Sequence, residues 1–479
     1  MKNNMQSNES LLANEKPSKA IVTLAIPATL ALLAKAVYNL VDTAYIGLLN
    51  SEIALAAVGV TLPLLLIFVS IENIFASGAA VLAGRQLGSG DKKKANITIT
   101  TIVTVSVIVG IILCIGGIIF IDPLMKAFGA SAQVLPQAKD YAFWMFVAAL
   151  FNLPAQCLNC SARAESSVKI TTIAVVSGAL LNVILDPIFM FSWGFDLGVG
   201  GASLATTVSQ FVTLSILVWF YASNRSIIKI APKYFKLNWG LLKQVISIGI
   251  PTAVIQICLA VATSLTNIAA KTLPDHDLII AAYGVVQRLV LIGCYVIMGF
   301  MQGYQPVASY AFGARKKERF QESAKYSLKA TILLTIIVEA VYIILSVPLI
   351  KIFNRNPLVV EYGSRLLISQ VLLYPAFGLC YMMTITFQTI GASKFGLFLS
   401  TIRQGLFYIP IILILPKFLG IWGIYLSQPL ADVLTLIVCV LSYNQMKVIA
   451  NKNMDIIVDL NNSQDDKEQK QLKEAKHYS

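Results

Sequence analysis

Two aspartates, an asparagine and a threonine stand out in this sequence because they interrupt long apolar runs. They are Asp42, Asn182, Asp186 and Thr206. A polar or ionisable side chain in such a run is costly unless it meets a partner or water, so each is a functional candidate. Carboxylate, amide and hydroxyl oxygens are hard ligands that suit a proton or a sodium ion. These residue types predict a site for a proton or a monovalent cation.

Two other interpretations of the aspartates stay open at this point. Asp186 precedes Pro187, and it could satisfy backbone donors that are freed where a proline breaks a helix. Asp42 follows Lys35 by seven residues, so the two lie on nearly the same helical face and could form a static ion pair. We favour the cation site, because carboxylates in apolar spans are usually functional.

A second group of side chains is predicted to line a substrate cavity. Glu72 could line this cavity or pair with Lys35, and Arg288 could meet an anionic group or pair within its own half of the chain. Met301 belongs to a stripe of large side chains that could form an adaptable apolar wall, although such stripes are more often core. The predicted cavity residues are Tyr38, Glu72, Gln287, Arg288 and Met301.

The elements that carry these residues must lie in lipid. Hydrophobic residues make up 57% of the chain and charged residues 13%, which leaves too little polar surface for a water-soluble core of 479 residues. A bilayer needs about 20 apolar residues per helix. Twelve such runs, numbered spans 1 to 12, predict an all-α membrane protein. They cover residues 19–48, 53–82, 97–121, 132–157, 168–191, 199–222, 240–270, 279–308, 327–350, 362–388, 395–416 and 420–446.

The helix rise predicts that the four candidate cation ligands lie at one height. Asp42 falls roughly 9 Å from the end of span 1, and Asp186 roughly 10 Å from the end of span 5. Asn182 lies one turn deeper than Asp186 on the same face. Span 6 runs in the opposite direction, which brings Thr206 to about the same level.

The basic residues predict the orientation of the spans. Taking both termini as cytoplasmic, the inner side holds 24 Lys and Arg up to Lys452, and the outer loops hold 7. Because basic loops are retained in the cytoplasm, we expect both termini there. The first eighteen residues lack the basic start and apolar core of a secretory signal.

The chain resembles itself at an offset of about 225 residues. Gly78 matches Gly303, and Gly88 matches Gly313. Duplicated six-span units predict two pseudo-symmetric lobes that face each other across a central cavity. The predicted organisation is a cytoplasmic tail, a first lobe, a cytoplasmic linker, a second lobe and a second tail, at 1–18, 19–222, 223–239, 240–446 and 447–479.

Matching prolines occur early in each half. Pro27 in span 1 and Pro251 in span 7 both weaken the helix at the preceding turn. Pro27 is therefore a candidate hinge, although a fixed kink explains a proline at this place equally well.

Several other function classes are excluded. The chain has no GxxxxGK[ST] loop for ATP, and its two histidines, His276 and His477, lie outside the spans, which argues against an intramembrane hydrolase. Cys157 and Cys160 form a lone CxxC without a second pair or a nearby histidine, so we expect them to serve in packing. We expect an enzyme activity, a cofactor and a nucleic-acid partner to be absent.

Five motifs together resemble the MATE (multidrug and toxic compound extrusion) transporters. They are VDTAYIG at 41–47, GRQLGSGD at 84–91, LNVILDPI at 181–188, GVGGASLAT at 198–206 and RQGLFYIP at 403–410. The resemblance implies a V-shaped fold and a coupling site that, in the DNA-damage-inducible branch, uses the residues at positions 42, 182, 186 and 206. A different branch has an acid in span 7. This chain has none between Lys243 and Lys271, so the sequence leaves open whether the second lobe has a cation site.

The resemblance implies an antiporter in the bacterial plasma membrane. It would export amphipathic organic compounds, drugs or a secondary metabolite by alternating access, in exchange for protons or sodium ions, and would act as a monomer. The alternative is a flippase of a lipid-linked precursor in the same superfamily, which we expect to carry more basic residues in the central cavity than Lys35 and Arg288.

Overall fold

The protein is a bundle of long helices. The computed structural model describes residues 10–49 and 51–477, and of these the side chains of all but 52 and 456–477. No β-strand occurs in this part of the chain. Eleven helices are long and apolar enough to cross a bilayer, and one bent pair of helices makes a twelfth span. We label these α1 to α12, which correspond to spans 1 to 12.

The first six spanning helices form one lobe. A short helix, Ile121–Ala127, follows α3. Helices α1 to α6 are Pro17–Leu48, Glu52–Gly88, Lys92–Ile119, Leu135–Ala164, Val168–Met190 and Gly198–Ala222.

The last six spans form the second lobe and include two irregular elements. Helix α10 is Pro357–Val371 and Tyr374–Thr389, bent by 44° at the break. Helix α11 is Ser393–Thr401 and Ile409–Leu419, joined by the π-helix Ile402–Tyr408. Helices α7, α8, α9 and α12 are Trp239–Ala270, His276–Gly313, Lys317–Ile344 and Ile421–His477, with a short helix, Ser346–Phe353, after α9.

The helices extend beyond the apolar runs that predict them. Helix α8 has 38 residues and α2 has 37, whereas about 20 cross the hydrocarbon. The additional helical turns continue into polar sequence. Side-chain caps mark the first residue of two helices: Ser51 accepts a hydrogen bond from the Ala54 N–H before α2, and Asp91 accepts one from the Lys94 N–H before α3. Helix α12 likewise continues into the polar segment after residue 447.

The bundle exterior is apolar. Large aliphatic side chains are more than half exposed in both lobes, as at Ile112 (63%), Leu180 (60%) and Val440 (64%). A surface of this kind is stable against lipid and not against water. The helices therefore lie in a bilayer.

Residues 10–16 and residues 451–455 of α12 lie at one end of the bundle, beside the start of α9, and we call this the tail end. Helix α1 begins there at Pro17, and the following spans alternate in direction. Residues 10–16 pack against the start of α9, where Lys316 Nζ donates a hydrogen bond of 3.0 Å to the Ala13 carbonyl and Arg319 donates to the Glu15 carbonyl. This part of the N-terminal segment is docked and not detached.

Glycines bring the two lobes together in symmetric pairs. A Cβ added at Gly88 of α2 would lie 2.1 Å from the Tyr310 carbonyl oxygen in α8. A Cβ at Gly313 of α8 would lie 2.0 Å from the Arg85 carbonyl oxygen in α2. Positions 85 and 88 of the first half correspond to positions 310 and 313 of the second half at the repeat offset of about 225 residues. The two halves therefore contribute equivalent residues to this crossing.

All the interlobe crossings described here are in the tail half of the bundle. A Cβ at Gly78 of α2 would lie 2.0 Å from the Val245 carbonyl oxygen in α7, and one at Gly303 of α8 would lie 2.6 Å from the Ile21 carbonyl oxygen in α1. The lobes are closed at the tail end and form a V that opens toward the opposite end.

The linker between the lobes is bound to the first lobe. Glu165, just after α4, is fully buried, and its Oε2 accepts hydrogen bonds from the Ser226 hydroxyl at 2.8 Å and the Ile228 N–H at 2.9 Å. Burial raises the pKa of Glu165 to about 8, against the lowering effect of these hydrogen bonds.

Candidate functional site

Three of the predicted ligands form one hydrogen-bonded cluster. Asn182 Nδ2 on α5 lies 3.1 Å from Asp186 Oδ1, one turn along the same helix, and 3.3 Å from Thr206 Oγ1 on α6. Asp186 is 0% exposed and Asn182 1%. The convergence of α5 and α6 that the helix rise predicts is present.

Asp42 approaches this cluster from α1 without a hydrogen bond to it. Its charge interacts with that of Asp186, and the Tyr38 and Tyr141 hydroxyls lie in the field of both carboxylates. The site is therefore assembled from α1, α5 and α6, with Tyr141 added from α4.

Three buried oxygens of this site have no hydrogen-bond partner among the described residues. They are Asp42 Oδ1, Asn182 Oδ1 and Asp186 Oδ2. A buried acceptor left without a partner costs about 1 to 3 kcal/mol, and more if it is charged. Three such oxygens in one site are able to accept a proton or to bind a cation.

The other interpretations of the two aspartates find no support in the geometry. Helix α5 continues through Pro187 to Met190, so Asp186 does not mark a broken helix. Lys35 is not ion-paired with Asp42 in the described part of the chain. It interacts electrostatically with Glu72 instead.

The site contains no conventional multi-ligand metal centre. No group of three or more His, Cys, Asp or Glu side chains that could hold a metal ion occurs in residues 10–49 and 51–477. Two carboxylates, one amide and one hydroxyl offer few negative charges, which fits one monovalent ion better than a divalent one.

A small, partly polar cavity of about 70 Å³ adjoins the cluster in the first lobe. Tyr38, Asn182 and Thr206 line it, as does Lys35. A single side chain, Gln302 of α8, reaches it from the second lobe. The cavity gives the cluster a polar surrounding inside an otherwise apolar lobe.

Glu72 and Met301, which are also predicted to line a substrate cavity, do not line this cavity of the first lobe. Glu72 is 5% exposed and accepts a hydrogen bond from Asn152, so it is held behind the cavity wall. Met301 is 0% exposed and packs in the hydrophobic core, because α8 turns the neighbouring Gln302 and not Met301 toward the cavity.

The two polar candidates in the first half of α8 also lie away from this cavity. Gln287 is half-buried and makes a hydrogen bond with Tyr283. Arg288 is exposed and has no ion pair within the described residues, so the pairing expected for it is absent.

Helix α1 is held near its internal proline. The Thr172 hydroxyl of α5 donates a hydrogen bond of 2.9 Å to the Pro27 carbonyl. Pro27 itself has no N–H, so the turn around it lacks one helical hydrogen bond. Helix α5 therefore contacts α1 beside Pro27 and also carries Asn182 and Asp186 of the cluster.

A row of polar side chains on α4 was not identified from the sequence. Asn152, Gln156, Asn159 and Arg163 all line the cavity. Their spacing of three and four residues places them on one face of the helix, which was a usable signal. Cys157 and Cys160 are free and buried, as their packing role predicts.

The second lobe contains a buried ion pair that the sequence did not predict. Arg403 of the π-helix donates from Nε to Asp432 Oδ1 at 2.7 Å and from a terminal nitrogen to Oδ2 at 3.2 Å. Gln428 donates a further bond of 3.0 Å to Asp432. All the oxygens of Asp432 are satisfied, so this pair differs from the cluster around Asp186.

Comparison with a family model identifies most of both lobes. The MatE model matches residues 27–188 and 251–414. The two matched segments contain Asp42, Asn182 and Asp186 in the first lobe and Arg403 in the second.

Curated relatives are full-length bacterial exporters. The "Multidrug export protein MepA" of Staphylococcus aureus (strain NCTC 8325 / PS 47) is 26% identical over 414 residues, covering 86% of this chain and 90% of the relative. The protein of the same name from Staphylococcus haemolyticus (strain JCSC1435) is 24% identical over 427 residues, covering 89% and 93%.

Solved structures share the fold. A MATE crystallised in complex with MaL6 superposes with a TM-score of 0.88 at 24% identity, over 93% of this chain and 99% of that one. An outward-facing multidrug resistance MATE family transporter of the MOP superfamily gives 0.87 at 24% identity, over 92% and 98%.

Proposed function

The chain belongs to the MatE family of membrane transporters, which are not enzymes, and from this premise we propose that it is a cation-coupled antiporter. It exchanges protons or sodium ions for amphipathic organic compounds by alternating access. The substrate class rests on the relatives, which are named multidrug export proteins.

The observation that carries the proposal is the set of orphaned oxygens at Asp42, Asn182 and Asp186. One bound cation or one proton offsets one of the two carboxylate charges, two protons offset both, and either gives these oxygens a partner. The site therefore has a higher free energy when it is empty than when it holds a cation or a proton. Its occupancy consequently responds to an ion gradient.

The tail end of the bundle is assigned to the cytoplasm. Basic residues are in excess on that side even when the buried Arg403 of α11 is left out, and this supports the orientation. Because the lobes are closed at the tail end, the described conformation faces outward. The bacterial relatives support a place in the plasma membrane of a bacterium.

The transport cycle follows from the connection between the cluster and α1. A cation entering from outside binds between Asp42 on α1 and Asp186 on α5, and it draws these helices together. Helix α1 bends at Pro27, which lacks an N–H and whose carbonyl accepts the Thr172 hydroxyl of α5. The cavity beside Tyr38 and Asn182 contracts and releases the organic substrate outward. Differential affinity of the two conformations for ion and substrate couples the two fluxes.

The test is efflux from proteoliposomes. A fluorescent organic cation is loaded, and a pH gradient or a sodium gradient is imposed separately. We expect one of the two gradients to drive efflux by the wild-type protein, and we expect the same gradient to drive no efflux by the Asp42→Asn variant. Asp196→Asn is the matched control, because Asp196 is exposed and has a positive φ that asparagine also adopts. Efflux that ignores both gradients, or that survives Asp42→Asn, contradicts the proposal.

A further inference from the structure

We propose that Arg163 is an electrostatic barrier that prevents the coupling cation from leaking through the first lobe into the cytoplasm. This inference rests on the proposed function and concerns a residue outside the cluster of Asp42, Asn182, Asp186 and Thr206. Without Arg163, the cation could pass along the row of polar side chains on α4.

The cavity extends from the cluster toward the tail end. Asn182 and Thr206 line the part near the cluster, and Arg163 lines it one residue before the end of α4. From Asn152 to Arg163 the helix rises roughly 16 Å, about half of the hydrocarbon thickness. One polar space thus covers much of the distance from the cation site to the cytoplasmic surface.

Polar oxygens follow this path on two helices. Asn152, Gln156 and Asn159 face the cavity from α4. Gln210 and Thr213 face it from α6. Amide and hydroxyl oxygens can hydrate or relay a proton or a sodium ion, so the space offers no chemical obstacle of its own.

Arg163 is the charged group at the cytoplasmic end of this path. Its two terminal nitrogens donate to Asn159 Oδ1 at 2.7 Å and to Cys160 Sγ at 2.8 Å. Neither partner is charged, and no ion pair of Arg163 is found among the described side chains. An arginine retains its proton under all physiological conditions, so a full positive charge stands at this end. Such a charge repels cations from a narrow polar passage.

Lys35 lines the cavity from α1, between the cluster and Arg163, and the Glu72 carboxylate offsets its charge. Arg163 therefore supplies the uncompensated positive charge among the described side chains that line the cavity. The cavity is therefore negative at the cluster and positive toward the cytoplasm. A cation is attracted to the site from outside and is opposed beyond it.

An ordinary structural role for Arg163 predicts a different outcome. A basic residue in the last turn of a helix stabilises the helix dipole, and its loss costs about 0.3 to 1 kcal/mol of stability. That role concerns thermal stability and has no effect on the passage of ions through folded protein.

The experiment measures ion leak in proteoliposomes without organic substrate. A potassium diffusion potential, negative inside the vesicle, drives protons or labelled sodium ions inward. With Arg163→Gln we expect the leak to rise about tenfold over wild type, because the neutral amide no longer opposes the cation. Arg163→Lys and the exposed linker variant Arg225→Gln should leak as little as wild type.

A charge-restoring variant keeps the test decisive if Arg163→Gln folds poorly. Arg163→Cys should leak, should be sealed by a cationic thiol reagent and should stay leaky after a neutral reagent of similar size, with wild type treated in parallel. If the leak is unchanged in both Arg163→Gln and Arg163→Cys, Arg163 is not a barrier, even if the wild-type protein exports substrate in exchange for ions. Loss of coupling in wild type would instead contradict the proposed function, because the leak measurement requires no substrate.

Discussion

The side-chain amide of Asn182 lies 3.1 Å from Asp186, one turn along α5, and binds the carboxylate as a donor. The same nitrogen lies 3.3 Å from Thr206 on α6. One amide group therefore fixes the orientation of the acid and links two helices, while its own oxygen stays free for the ion.

Removing this amide should weaken ion coupling more than it weakens the fold. For Asn182→Ala we expect the concentration of driving ion needed for half-maximal efflux to rise about ten- to hundredfold, the usual effect of losing a ligand-orienting partner. Efflux rates measured over a range of ion concentrations give this value. Ser215→Ala, which removes an exposed hydroxyl of α6 that does not line the cavity, is the control. Equal half-maximal concentrations for wild type and Asn182→Ala would contradict the orienting role.

A methyl group at the lobe crossing should open the tail end. Gly78→Ala places a Cβ 2.0 Å from the Val245 carbonyl oxygen, which requires the backbones of α2 and α7 to separate. We expect a smaller outward-facing population, seen as a longer distance between spin labels at the tail ends of the two lobes. Gly116→Ala in α3 is matched, since nothing lies within 4 Å of its added Cβ. Unchanged label distances in Gly78→Ala would show that the lobes do not meet at this glycine.

Removing one partner of the buried Arg403–Asp432 pair should reduce the stability of the protein strongly, whereas replacing both partners by apolar residues should reduce it little. Asp432→Asn leaves the Arg403 charge without its counter-ion, and we expect a loss of about 3 to 5 kcal/mol in stability. The double variant Arg403→Met with Asp432→Leu should recover most of it, because no unpaired charge remains. Thermal unfolding in detergent compares the three proteins. A double variant that is less stable than Asp432→Asn would contradict a purely structural pair.

The linker contact should depend on pH through Glu165. Burial raises its pKa to about 8 in the folded protein, above the ordinary value of 4.5. The folded state therefore holds a proton that the unfolded state has lost, and its stabilisation is complete below pH 4.5 and is lost as the pH rises through 8. Glu165→Gln is always neutral, and we expect its melting temperature to vary less than that of wild type between pH 6 and pH 9. Parallel pH profiles for the two proteins would contradict a protonated Glu165.

Hydropathy predicted the twelve spans because each apolar run has the length that a bilayer requires. It could not predict where the helices end, since α2 and α8 continue into polar sequence. The break between Val371 and Tyr374 and the π-helix at Ile402–Tyr408 were also missed, because both depend on packing against neighbouring helices.

The same contrast holds for the site. Asn182, Asp186 and Thr206 were found because position along a helix fixes height, and α5 and α6 are neighbours in the chain. Contacts that depend on the rotation of a helix about its own axis were not predictable in this way. Met301 packs in the core, which is the alternative that its stripe of large side chains left open. The pairing of Arg403 with Asp432 joins consecutive spans, but it depends on the π-helix that carries Arg403.

In the proposed mechanism, Asp42, Asn182 and Asp186 bind a positive charge that enters from outside. The most direct test is ion binding to purified protein in detergent, with sodium binding measured by calorimetry and proton uptake by a pH-jump titration. We predict saturable binding of sodium or uptake of protons by wild type, lost in both Asp42→Asn and Asp186→Asn and kept in Asp196→Asn. Binding that is absent from wild type, or that is unchanged in both of the first two variants, would contradict the account.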